Sequence, residues 1–103
     1  YYGGMAQGIG MALSEDFEDL KKHVTLAKSG FPYIDAVPDD LELLYLETPR
    51  KHSAFGCSGC GEVVLSSPHA SVINAIDDAC GARIRHLPAY PEKVLAALEA
   101  KKN

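Results

Sequence analysis

No run of apolar residues in this chain of 103 approaches the roughly 20 needed to span a bilayer, which excludes a helical membrane span within it. Basic charge is short: 10 Lys and Arg stand against 14 Asp and Glu, a net charge of −4. The basic residues are scattered, with short pairs such as Lys21-Lys22 and Lys101-Lys102. The clustered cations that hold a phosphate backbone are therefore lacking, and nucleic acid is excluded as a partner. Cysteine is scarce and odd in number, three residues of which two form a tight Cys57-x-x-Cys60 pair; a secreted disulfide scaffold would show an even, dispersed set. The first residues also lack the basic, apolar and small-residue regions of a secretory signal. The expected compartment is a reducing cytoplasm.

What the chain does have is the composition of an ordinary soluble globular protein, 47% apolar and 23% charged. Its length suits one domain that buries roughly two-thirds of its unfolded surface without a metal or disulfide staple. It opens Tyr1-Tyr2-Gly3-Gly4-Met5 and runs straight into a helical pattern without an initiator Met. It is expected to be an element cut from a longer protein.

Met5, Ile9, Leu13 and Phe17 recur every four positions, followed by Leu20, and form one stripe of an amphipathic helix. Gly4, Gly8 and Ala12 form a second stripe, read as tight packing against another backbone or an edge offered to a cofactor. The helix should fade in the acidic stretch Glu15 to Asp19. Gly30, Pro32 and Pro38 break regular structure between Lys21 and Pro38. Leu41 to Glu47 is short, mostly apolar and bounded by Asp39-Asp40 and Pro49, which predicts a strand; Arg50 to Gly61 reads as a loop. Ser67 and Pro68 mark a helix start, with Ile73, Ile76 and Cys80 as its apolar face and Gly81 as its stop. Arg83 to Leu87 is a second candidate strand. Pro91 begins a last helix with Val94, Leu95 and Leu98 facing inward, and Lys101 to Asn103 frayed. The sum is a small α+β unit of about three helices with one or two short strands.

The run Phe55-Gly56-Cys57-Ser58-Gly59-Cys60-Gly61-Glu62 carries the most chemistry. Three glycines with small residues between them leave backbone N–H groups uncovered, able to approach a ligand closely and donate to phosphate or oxo groups. A carboxylate held at the end of such a loop accepts a proton from an acidic group within hydrogen-bond reach. A simple turn has the same composition. The cysteine pair has three readings: a redox dithiol, half of a zinc site, or incidental small residues. A redox pair ordinarily opens a helix, whereas here Gly61 follows and the next helix start is at Ser67. Zinc would need Cys80 and one of His52, His69 or His86 as further ligands. Spacing leaves all three readings open.

Three stretches, in order, resemble one family. GGMAQGIGMALSEDF (Gly3 to Phe17) is similar to the segment of molybdenum hydroxylases in which a QG(I/L)G core leads an amphipathic helix. The run ending in Gly61-Glu62 resembles the family's G-x-x-G-x-G-E loop. LSSPHASVINAIDDACGARIRHLPAYPEKVLAAL (Leu65 to Leu98) is similar to the family's closing pattern of a Ser-Pro-capped helix with NAI, then GxRI, LP and PEKVL. Within the xanthine oxidase family, the looser stretch Glu18 to Pro49 resembles the bacterial aldehyde oxidoreductases most.

The resemblance implies that residues 1–103 are a C-terminal fragment of a molybdenum-cofactor-binding domain. It implies a parent that oxidises aldehydes to carboxylic acids with water at a molybdenum–pterin centre, usually a cytosine dinucleotide in bacteria, and passes electrons through two iron–sulfur clusters. By the match to the loop motif, Glu62 would be the general base, and Ser58, Gly59, Cys60 and Gly61 would contact the cofactor through their backbone. Two clusters need up to eight cysteine ligands, so they would lie elsewhere in the parent. The isolated chain is expected to hold no cofactor and to be inactive. Its partners would be the rest of the large chain and a small aldehyde, and two copies are expected to pair through apolar faces. The chain departs from the family at Cys57 and Cys60, where members commonly show Ala and Val, and at Val63-Val64, in place of Leu-Pro or Pro-Pro. These read as neutral replacements or as tuning for a different substrate. The alternatives are a non-catalytic isolated fragment, or a small dithiol or zinc-binding module using Cys57 and Cys60.

Overall fold

Glycine in a helix interior costs about 1 kcal/mol relative to alanine, yet the first helix, α1 (Tyr2–Leu13), contains four glycines. The computed structural model describes residues 1–102, leaving out Asn103, and gives the physical reason. A Cβ on Gly4 would stand 2.8 Å from the Val64 Cβ, one on Gly8 would stand 2.6 Å from the Pro68 Cβ, and one on Gly10 would meet the Pro32 ring at 2.5 Å. Ala12 is fully buried, and its carbonyl accepts a 2.6 Å hydrogen bond from the Ala89 N–H. α1 is thus a post on which segments from four parts of the chain rest, and its small residues are where they approach. The expected tight packing holds for Gly4, Gly8 and Ala12. The large stripe does not face inward throughout: Leu13 and Phe17 are 40% and 58% exposed.

α1 ends at Leu13, before the acidic stretch in which it was expected to fade, so Phe17 and Leu20 lie beyond it. Ser14 and Glu15 N–H both donate to the Gly10 carbonyl, and Ser14 Oγ donates to the Gly30 carbonyl at 2.7 Å. The second helix, α2 (Pro68–Cys80), has proline in its first turn and stops at Gly81, whose φ of 75° is left-handed. Ser67 occupies the cap position, but its side chain makes no capping bond. Ile73 is buried, whereas Cys80 is exposed and lies off the expected apolar face. The third helix, α3 (Pro91–Lys102), begins where expected. Val94 and Ala97 pack on the core of Ile73, Ile84 and Ala89, while Leu95 is 59% exposed and does not face inward. The helix runs through Lys102, so fraying is not seen at Lys101 or Lys102, and Asn103 lies outside the described residues.

The α+β expectation is overturned: among the described residues there are three α-helices, short 3-10 turns at Ile34–Ala36, Ala54–Gly56 and Val63–Ser66, and no strand. A strand exists only by pairing, because its N–H and C=O groups point sideways to a neighbour. Residues 82–85 keep the strand-like alternation, with Ala82 and Ile84 buried and Arg83 and Arg85 exposed, but no second strand lies beside them. Arg83 instead pairs with Asp77 at 2.6 Å and Asn74 at 3.0 Å on α2. Leu41 to Glu47 also lacks a partner, and Leu44 and Leu46 are 85% and 94% exposed.

Burial is correspondingly thin. A folded monomer of 11.1 kDa is expected to expose about 5,700 Å², whereas this chain exposes 8131 Å². Against an unfolded surface of about 16,000 Å², folding buries about half and not the expected two-thirds. The radius of gyration is 16.9 Å, where about 13 Å is usual for this length. No helix among the described residues is long and apolar enough to cross a membrane.

Candidate functional site

The stretch from Pro49 to Glu62 is built by backbone bonding in its first half and left open in its second. Arg50 N–H donates to the Gly56 carbonyl at 3.1 Å, Gly56 to Ser53 at 3.0 Å, and Cys57 to Ala54 at 3.0 Å. These bonds close a tight turn. Phe55 at its tip has φ 54°, a left-handed conformation uncommon for an aromatic residue, and is fully exposed. Beyond Cys57 the pattern changes. Among the described residues, the N–H groups of Ser58, Gly59, Cys60 and Gly61 donate to no protein acceptor. Around Gly59 and Gly61 nothing lies within 4 Å of where a Cβ would stand. Four consecutive free donors on an unobstructed backbone can hold a group rich in oxygen acceptors.

Glu62 follows directly. Its carbonyl accepts from Leu65 N–H at 3.1 Å, which starts the turn Val63–Ser66, and Ser66 Oγ tightens that turn with a 2.6 Å bond to the Val63 carbonyl. Val64 in the same turn rests on Gly4, and Pro68 rests on Gly8. α1 therefore fixes the backbone from which Glu62 departs, while the residue itself is exposed. The structure places Ser58, Gly59, Cys60, Gly61 and Glu62 on one continuous loop that ends on a packed turn. It does not enclose them.

Arg50, Lys51, Tyr1 and Tyr45 were not singled out from sequence, whereas His52 and His69 were named there as possible zinc ligands. Arg50 Nε donates to Ser58 Oγ at 3.1 Å, tying the start of the loop to its middle. Arg50, Lys51 and His52 share a cavity of about 420 Å³ with Ser53, Cys57 and Ser58. This is a local basic patch that the reading of scattered charge passed over. On the other side, Cys57 borders a groove of about 650 Å³ running past Tyr45, Pro49 and Phe55 to Tyr1. Tyr1 packs edge-on against Tyr45, ring centres 4.8 Å apart. Hydrogen bonding to the Cys60 side chain, then its charge, holds the Tyr1 hydroxyl above the ordinary tyrosine value. The residue types could have pointed to Arg50, but nothing local in sequence joins Tyr1 to Cys60 across almost sixty residues. His69 Nδ1 is buried and has no hydrogen-bond partner among the described residues. The zinc arrangement is not formed: no group of three or more His, Cys, Asp or Glu side chains is gathered among the described residues.

No family model matches the chain. Over 99 residues, 96% of the chain, it is 63% identical to the aldehyde oxidoreductase of Megalodesulfovibrio gigas, of which it spans 11%. It is 39% identical over 92% of its length to the nicotine 6-hydroxylase large subunit of Paenarthrobacter nicotinovorans, spanning 12% of that protein. Over 90% of its length it is 33% identical to a putative xanthine dehydrogenase molybdenum-binding subunit of Escherichia coli, spanning 13% of it. The solved aldehyde oxidoreductase from Desulfovibrio gigas, activated with sodium dithionite and sodium sulfide, matches with a TM-score of 0.89 and 62% identity, over 95% of this chain and 11% of that one. The chain thus spans a small part of the length of each of these relatives.

Proposed function

We infer that this chain, which has the sequence and fold of a segment of the aldehyde oxidoreductases, belongs to that family of molybdenum enzymes and supplies one wall and the general base of their molybdenum–pterin centre. The observation that carries this reading is the run of four free N–H donors from Ser58 to Gly61, ending on a carboxylate whose backbone is fixed by α1. That donor set fits a pterin group with oxygen-rich substituents, and the open space at Gly59 and Gly61 lets it lie against the backbone.

In this reading the parent oxidises an aldehyde to a carboxylic acid with water. When bound, the molybdenum–pterin group supplies the two-electron acceptor. The chain's own residues do the remainder. The N–H groups of Ser58 to Gly61 fix the edge of the cofactor. Glu62 accepts the proton from the attacking oxygen as it adds to the carbonyl carbon, a contribution of roughly 100- to 10,000-fold. The pterin is of the cytosine dinucleotide type, the iron–sulfur clusters lie elsewhere in the parent, and the whole works in the cytoplasm.

The rest of the large chain is the partner that covers this segment. The exposed excess of about 2,500 Å² has the size of an obligate interface, and it is rich in large apolar side chains such as Leu44, Leu46 and Phe55. The test is Glu62→Gln in the full-length protein, with molybdenum measured by elemental analysis. The variant should keep its metal and lose at least about 100-fold in turnover. Full metal content with turnover within a few-fold of the parent would remove Glu62 from the reaction.

A further inference from the structure

We propose that Arg50 is a positioning residue for the cofactor: through its hydrogen bond to Ser58 it pre-orders the run of N–H donors from Ser58 to Gly61. This rests on the reading that the run holds the molybdenum–pterin group. Arg50 is tied to the loop twice. Its backbone N–H donates to the Gly56 carbonyl at 3.1 Å, and its Nε donates to Ser58 Oγ at 3.1 Å. The first bond closes the turn. Gly56 stands there at φ 72°, in the left-handed region, and a Cβ on it would meet the Pro49 Cβ at 2.9 Å. The second bond reaches past the turn to the residue at which the free donors begin.

From Ser58 to Gly61 the N–H groups find no acceptor among the described residues, and nothing lies within 4 Å of a Cβ position at Gly59 or Gly61. A stretch so loosely held samples many conformations, and a ligand that selects one must offset the entropy of the others. At the far end α1 fixes the backbone, because Val64 rests on Gly4. Arg50 fixes the near end, so the donors run between two held points. A guanidinium donor makes a stronger bond than a neutral one. The bond is exposed in this segment. In the parent the cofactor and the rest of the large chain cover it, and water no longer competes for Ser58.

The test uses the full-length protein, with retained molybdenum followed by elemental analysis during dialysis in dilute urea. The amide nitrogen of glutamine stands as many bonds from Cα as the Nε of arginine, and the methyl of methionine stands at the same place without a donor. Arg50→Gln therefore keeps the bond and removes the charge, whereas Arg50→Met removes both at matched length. Arg50→Met and Ser58→Ala should each lose molybdenum at least about tenfold faster than the parent protein, the factor set by one charge-assisted bond. Combining them should add little. Arg50→Gln should stay within a few-fold of the parent protein, and all three variants should melt with it. Equal loss in Arg50→Gln and Arg50→Met, additive losses, or a loss in Arg50→Met that accompanies a lower melting temperature would each overturn the proposal. Gly59→Val fills the space beside the donors and should shed molybdenum with Arg50 in place. If it does so while Arg50→Met keeps its metal, the role of Arg50 alone falls. If Gly59→Val keeps its metal, the cofactor reading falls and the role of Arg50 with it.

Discussion

Val64 rests on Gly4: a Cβ at Gly4 would lie 2.8 Å from the Val64 Cβ and 3.1 Å from its Cγ1. Val64 stands two residues after Glu62 and within the turn that Glu62 begins. A single glycine near the start of α1 therefore sets where the candidate base leaves the backbone, 58 residues away in sequence.

That relationship predicts an overpacking defect with a specific coupling. Gly4→Ala should destabilise the chain by about 1–3 kcal/mol, the usual cost of forcing extra volume into a packed contact. Val64→Gly, which removes the Cβ that an alanine at position 4 would meet, should cost less stability in the Gly4→Ala background than in the parent sequence, a coupling measurable by a double-mutant cycle in chemical denaturation. Additive losses would show that the two residues do not share one contact.

Burial separates the apolar residues that stabilise the isolated chain from those that do not. Ile73, 8% exposed in the core cluster, should cost about 2–5 kcal/mol on truncation to alanine. Leu46, 94% exposed, should change stability by no more than about 0.5 kcal/mol under the same substitution. Equal denaturation midpoints for the two variants would contradict this core.

Glu15 predicts a pH dependence. Burial holds its carboxyl above the ordinary glutamate value, so the native state binds its proton more tightly than the unfolded state does. The stability this gives is complete below the unfolded value and is lost as pH rises through the higher folded value. Glu15→Gln should therefore melt higher than the parent sequence at neutral pH. The difference should vanish below the ordinary carboxylate range. A constant difference across that span would remove Glu15 as its source.

The helices were legible because their ends are written in local chemistry: Pro68 and Gly81 bracket α2, and Pro91 opens α3. The glycine stripe of α1 announced close packing, though not that Val64, Pro68 and Pro32 would be the neighbours, since those contacts join distant parts of the chain. The strands were misread for a physical reason. Alternation at Ala82 to Arg85 and the apolar run at Leu41 to Glu47 report which faces can be buried, whereas a strand also needs a pairing partner. Cys80 and Leu95 failed as inward residues because a small core covers only one narrow strip of each helix. At the site, the loop and its terminal carboxylate were readable as a contiguous motif. The run Arg50-Lys51-His52 stands in the sequence as well, but the bond from Arg50 to Ser58 is made only when the turn between them closes.

The central claim is that Glu62 is the proton acceptor in the parent's reaction, and the single-turnover rate of aldehyde oxidation by the full-length protein tests it most directly. Glu62→Gln, loaded with molybdenum to the same extent as the parent protein, should turn over at least about 100-fold more slowly. A single-turnover rate in Glu62→Gln within a few-fold of the parent protein's would contradict the account.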